Sequence, residues 1–160
     1  MSKGGARLTE ATVIDDKYIV FALDDEEYAI PVESVGSIER ILPITRVPST
    51  PKYVKGVINL RGVVTPVIDL KEKFKNQSIV FDEQTRIIIV HINDITVGFI
   101  VDSANDVVDI NTEEVEPSPE TIDTEVTEFI EGVVKMDNRL FILLDLEKVL
   151  HEEETEEVKA

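Results

Sequence analysis

A chain of 160 residues, 42% of them apolar, has material for one packed domain or for two small modules sharing a core. It contains no cysteine, which excludes disulfides, a thiol nucleophile and Cys-ligated metal clusters and fits a reducing cytoplasm. A net charge of −17 argues against nucleic acid and against docking on anionic lipid, and no apolar run approaches the ~18 residues of a membrane span.

Met1 to Ala11 has no secretory-type apolar core, and residues 1–16 read as a flexible polar tail. Lys17 to Val32 then has the pattern of a hairpin. Ile19, Phe21 and Leu23 alternate with Val20 and Ala22, and Tyr28, Ile30 and Val32 keep period two after the turn Asp24-Asp25-Glu26-Glu27. Pro43, Pro48 and Pro51 mark an extended connector, in which Thr50-Pro51 has the chemistry to start one helical turn. Val57 to Leu60 and Val63 to Leu70 read as strands flanking the turn Arg61-Gly62. Pro66 cannot donate to a ladder, so its strand is expected at an edge or with a bulge. Asp69 stands where a strand ends and a helix N-cap begins.

The pattern then recurs. Tyr53 to Phe74 is echoed without a gap by Phe129 to Leu150: Gly56 falls on Gly132, Val57 on Val133, Asp69 on Asp145 and Leu70 on Leu146, 76 positions apart. The hairpin recurs as Arg86 to Val101 at a spacing of 69, with Val32 on Val101 and Ser34 on Ser103. The second connector is therefore the longer one. Such self-similarity is one supersecondary unit used twice. Leu146, Val149 and Leu150 form a helical stripe that leads into the acidic tail 151–160.

Five short strands per unit cannot bury both faces when flat. The expected architecture is mainly β: two five-stranded barrels over a shared hydrophobic core, with a C-terminal helix. The first repeat is placed at about 17–80 and the second at about 81–150, with strand exchange between them left open.

Catalytic chemistry finds no support. His91 sits among strand residues and His151 in the acidic tail, and no serine lies in a nucleophile elbow. Asp24 to Glu27 read as solvated acids at a hairpin tip. A calcium-loop template starting at Asp102 fails at Ala104 and Val107. No enzyme activity, cofactor or metal is expected. The two copies differ most at one turn, where Asn59-Leu60-Arg61-Gly62 became Lys135-Met136-Asp137-Asn138. A feature that one copy keeps and the other drops points to function rather than folding. Arg61 reads either as a solvated turn residue or as a rigid fork of donors for a partner. Val35, Ile38 and Val107, apolar and near strand ends, read either as core or as the surroundings of such a contact.

Gly56-Val57-Ile58-Asn59-Leu60-Arg61-Gly62 followed by Pro66-Val67-Ile68-Asp69-Leu70, with Glu27-Tyr28-Ala29-Ile30, Thr45-Arg46-Val47-Pro48 and Val97-Gly98-Phe99-Ile100-Val101-Asp102, resembles the CheW family of bacterial chemotaxis coupling proteins over Lys17 to Leu150. The resemblance implies two SH3-like barrels and a non-enzymatic adaptor. That adaptor joins the cytoplasmic helical tip of chemoreceptors (methyl-accepting chemotaxis proteins) to the regulatory domain of the histidine kinase CheA. It also implies a cytoplasmic monomer recruited to membrane receptor arrays. Matching positions for the receptor groove are Val35, Gly56, Arg61 and Val107; those for the kinase contact are Ile19, Val101 and Ala104. One departure concerns Ser37, where many members carry a carboxylate and this chain has none until Glu39.

Overall fold

A computed structural model describes residues 16–117 and 128–150. The strands are β1 (Asp16–Leu23), β2 (Glu26–Pro31), β3 (Val35–Arg40), β4 (Val54–Leu60), β5 (Val63–Asp69), β6 (Arg86–Ile92), β7 (Ile95–Val101), β8 (Ser103–Ile110), β9 (Ile130–Met136) and β10 (Arg139–Leu144). Helix α1 (Leu70–Lys75) follows β5, and residues 146–150 are helical after β10, forming α2. The expectations for residues 1–15 and 151–160, and for most of the longer connector, fall outside the described residues.

The strands form two five-stranded sheets, ordered β8-β1-β2-β10-β9 and β3-β6-β7-β5-β4. Replacing each strand by its equivalent in the other repeat turns one order into the other. Sheet membership crosses the division near residue 80: hairpin β1–β2 lies beside β8–β10, and hairpin β6–β7 beside β3–β5. Each hairpin joins its sheet antiparallel on one side, β1 with β8 and β6 with β3, and parallel on the other, Ile142 against Tyr28 in one sheet and Ile68 against Phe99 in the other. Each barrel therefore takes its opening hairpin from the opposite repeat.

The glycines at equivalent positions have a folding reason. The chain beyond β3 returns at Thr45 to bond Val57 of β4, with N–O distances of 2.8 and 2.9 Å. The chain beyond β8 returns at Glu116 to bond Val133 of β9, 2.8 Å in each direction. These bridges join the two edges of each sheet, and the crossing backbone passes over a glycine. A Cβ on Gly56 would stand 2.1 Å from the Thr45 carbonyl oxygen, and one on Gly132 2.7 Å from that of Glu116. Gly56 also has φ +143°, where a side chain is strained.

Period two along β1 separates two interiors. Tyr18 and Val20 pack with Ala29, Val134, Phe141 and Leu143 inside one barrel. Ile19, Phe21 and Leu23 enter the larger core with Ile87–Val90 and Val97 of the other. Phe21, Tyr28, Phe74 and Phe129 form a chain of ring contacts 5.4–5.9 Å apart through that core.

Asp69 caps α1 as its position predicts: one carboxylate oxygen accepts from the Glu72 amide at 3.0 Å and the other from Ile79 at 2.8 Å. Burial pushes its carboxyl up, while these amides and Lys55 pull it down. Asp145 repeats the cap more weakly, accepting from the Lys148 amide at 3.3 Å.

Three expectations need correction. Thr50-Pro51 starts no helix; the segment is a turn, closed by Val54 N–H on the Pro51 carbonyl at 3.0 Å. The strand of Pro66 is interior, not an edge; the register irregularity in its ladder with β4 falls between Val54 and Gly56, and its pairing with β7 spans only Val67 to Asp69, so Pro66 precedes the ladder in which its missing donor would matter. Three of the four acids of the first turn, Asp24, Glu26 and Glu27, are paired, and Asp25 is exposed. Lys71, on α1, reaches Asp24 at 2.9 Å and Asp102 at 3.0 Å, and Lys75 reaches Glu26 at 2.9 Å. Burial alone would lower the Lys71 pKa, but its bonds to Asp24 and Asp102 outweigh that and leave it raised.

Candidate functional site

Arg61 and Gly62 form a two-residue hairpin loop with φ +51° and +90°, the signs that a type I′ turn requires at both positions. The Asn59 side chain accepts from the Gly62 amide at 2.7 Å and fixes the loop. The equivalent loop of the second repeat places Asp137-Asn138 there, and the β6–β7 hairpin turns at Asn93-Asp94, residue types that enter the left-handed region readily. An arginine is the exception, held in a conformation that costs energy.

The Arg61 side chain is 67% exposed and donates to Glu39 Oε2 at 2.9 Å; the Ser37 hydroxyl donates to the same oxygen at 2.7 Å. These two donors, Ser37 first, hold the Glu39 carboxyl below its ordinary value. Val35, Ser37 and Glu39 alternate along β3 and share one half-buried face. The carboxylate absent at Ser37 is therefore supplied two residues further along the same face. The sequence showed that displacement, but not that Glu39 would meet Arg61.

Val107 lies on β8 directly opposite Ile19 of β1, and is 59% exposed. Ile19 belongs to the shared core, so Val107 extends that apolar face to solvent. Ile38, its equivalent in the other repeat, pairs with Ile88 and is 40% exposed. Val35 is half-buried against the core, beside Gly36, whose backbone lies under the His91 ring. Gly56 is buried beneath the Thr45 crossing, and barrel closure accounts for it.

Of the three positions matched to the kinase contact, Val101 is 0% and Ile19 7% exposed. Both spend their side chains on the core and have no surface to offer. Ala104 is half-buried. Sequence reasoning missed the exposed pair Val63 and Val64, at 59% and 70%, because strand periodicity alone does not mark where a strand outruns its neighbour. It also missed Arg139, which donates to Glu27 at 2.7 Å and Asp106 at 2.8 Å and lies 4.8 Å from the Phe141 ring. His91 is exposed and hydrogen-bonded to Thr96 through Nδ1 at 2.8 Å. Among the described residues no group of His, Asp and Glu is arranged to hold a metal, and no helix is long and apolar enough to cross a membrane.

Two closed barrels exchanging hairpins, with exposed apolar strands and one projecting arginine, define a module built for protein contacts. Residues 17–154 match the family model of the CheW-like domain. The chain is 45% identical to the chemotaxis protein CheW of Bacillus subtilis over 88% of this chain and 90% of that one. It is 37% identical to that of Helicobacter pylori, over 84% and 81%. The crystal structure of the scaffolding protein TtCheW from Thermoanaerobacter tengcongensis superposes with a TM-score of 0.75 at 37% identity, covering 82% of this chain and 85% of that one. The chain belongs to the CheW-like family of non-enzymatic chemotaxis coupling scaffolds.

Proposed function

We propose that this protein, free as a monomer in the cytoplasm, couples the helical tips of chemoreceptors to the regulatory domain of the kinase CheA at membrane arrays through two separate surfaces. The receptor surface is the groove carrying Val35, Val107 and Arg61, with Gly56 holding the backbone beneath it. A receptor helix would lay its apolar face on the valines, while the guanidinium, presented by Glu39, fixes register by hydrogen bonding. The observation that carries this reading is Arg61 in a left-handed turn position, where the equivalent loop of the second repeat places Asp137. A costly residue in an exposed loop calls for a use outside the fold.

For the kinase contact, expected at barrel ends, Ala104 remains of the three matched positions. Calorimetric titration of the protein into the isolated kinase regulatory domain tests this surface. One-to-one binding with a negative heat-capacity change is expected, because apolar ends leave water together. An absence of heat and of complex at high micromolar concentration would remove the kinase arm and leave the fold untouched.

A further inference from the structure

The chain's cations are not evenly spread. From Arg40 to Ile68 there are five, Arg40, Arg46, Lys52, Lys55 and Arg61, and no acid, in a protein with 33 acids. Two of the five are engaged: Arg61 with Glu39, and Lys55 with the Ser78 hydroxyl at 3.1 Å and with Glu72 at 3.8 Å. Arg46 and Lys52 are exposed and make no hydrogen bond or ion pair among the described residues.

These free cations face a cleft of about 720 Å³ on the connector between β3 and β4, whose lining includes Arg46, Val47, Pro48, Pro51, Lys52 and Lys55. The connector has a fixed shape. The Thr50 hydroxyl donates to the Val47 carbonyl at 3.1 Å, the Val54 amide closes onto Pro51, and the Thr45 bridge ties its start to β4. Two prolines reduce what remains to be ordered on binding. Val47, 39% exposed, adds an apolar spot between the charges. The second repeat, with the same fold, inverts the charge: Glu128 stands at the equivalent of Lys52 and Glu131 at that of Lys55. The barrel does not need a cation there; this copy has one all the same.

We propose that this cleft, which adjoins the receptor surface where Arg46 crosses Gly56, docks an acidic segment of a partner protein carrying a bulky apolar residue among its carboxylates. Charge complementarity selects the occupant, since among the described residues lining this concave, partly apolar site Arg46 and Lys52 are cations without an ion pair. A membrane or nucleic acid is disfavoured because the remaining surface of a chain at −17 repels both.

The test is fluorescence anisotropy with a labelled octapeptide of glutamates interrupted by two leucines, titrated with the full chain at low and at physiological salt. Saturable binding is expected, weakened by salt and weakened roughly tenfold by Arg46→Glu with Lys52→Glu. The charge-matched control Lys17→Glu with Lys135→Glu retains binding within about twofold. Both pairs lie at exposed positions, and a melting curve for each confirms the fold independently. Absence of saturable binding, or equal loss in the control, would overturn the proposal. So would displacement of the peptide by inorganic phosphate at equal concentration, or tighter binding of a peptide copying residues 151–160. The last result would make the chain's own acidic end the occupant.

Discussion

The two barrels share strand order, closing bridge and buried glycine, yet their hairpin ends have diverged in opposite directions. In the barrel of β8-β1-β2-β10-β9, Arg139 ties Glu27 of β2 to Asp106 of β8 across the end of the sheet. Both carboxylates hold the guanidinium proton more tightly than usual. In the other barrel the equivalents are Val63, Thr96 and Ser37, with no charge among them. One end is tied by ion pairs within the chain; the other leaves Val63 and Val64 in water and raises Arg61 beside them. A duplicated fold can satisfy one end internally and leave its twin for partners.

The largest expected effect separates the two glycines. Gly56→Ala meets a backbone carbonyl and an unfavourable φ together, and is expected to destabilise by at least about 3 kcal/mol, measured by urea unfolding. Gly132→Ala meets the Val115 side chain at 2.5 Å and the Glu116 carbonyl without that φ, so about 1–3 kcal/mol is expected. Equal costs would show that crowding, not backbone conformation, governs closure.

Arg139→Met comes next. It leaves Glu27 and Asp106 facing each other, and a loss of about 1–2 kcal/mol is expected, shrinking in high salt as the carboxylates are screened. An unchanged melting temperature would mean that the ion triad does not tie that end.

Arg61→Asn exchanges a strained arginine for a residue suited to the turn, and gives up an exposed ion pair. Stability is expected to stay within about 1 kcal/mol, by urea unfolding, while binding to a receptor cytoplasmic fragment falls at least roughly tenfold. The two readouts moving together would merge fold and function at this loop.

The smallest effect is with acid. The Glu39 carboxyl is held below its ordinary value of 4.5, so its contribution is complete above that value and is lost as the pH falls through the lower folded value. Asp24, held low by Lys71 despite partial burial, behaves alike from 3.8 downward. Asp69 runs the other way: its raised carboxyl favours the folded state at low pH, and that advantage is lost as pH climbs from 3.8 through the folded value. Glu39→Gln should flatten the acid limb of the stability curve without moving its neutral plateau by more than about 1 kcal/mol.

The fold was legible because its rules are local and repeated. Period two exposed the hairpins, the pairs Gly56/Gly132 and Asp69/Asp145 exposed the duplication, and surplus apolar strand faces required two barrels over one core. Which hairpin joins which barrel was not legible, because parallel pairings such as Ile142 with Tyr28 are long-range and leave no local mark. At the site, Arg61 stood out as the position where the copies disagree. Ile19 and Val101 carried no sign of their burial, since an apolar residue on a two-sided strand reads the same facing a partner or a core. The Glu39–Arg61 pair needed the sheet closed before two distant residues could meet.

The most direct measurement sets Arg61→Glu against the unaltered protein in parallel calorimetric titrations, into a receptor cytoplasmic fragment and into the kinase regulatory domain. Two separate surfaces require receptor affinity to fall at least roughly tenfold while kinase affinity stays within about twofold. Equal loss to both partners, or loss to neither, would contradict a coupling protein whose receptor contact is fixed by this arginine.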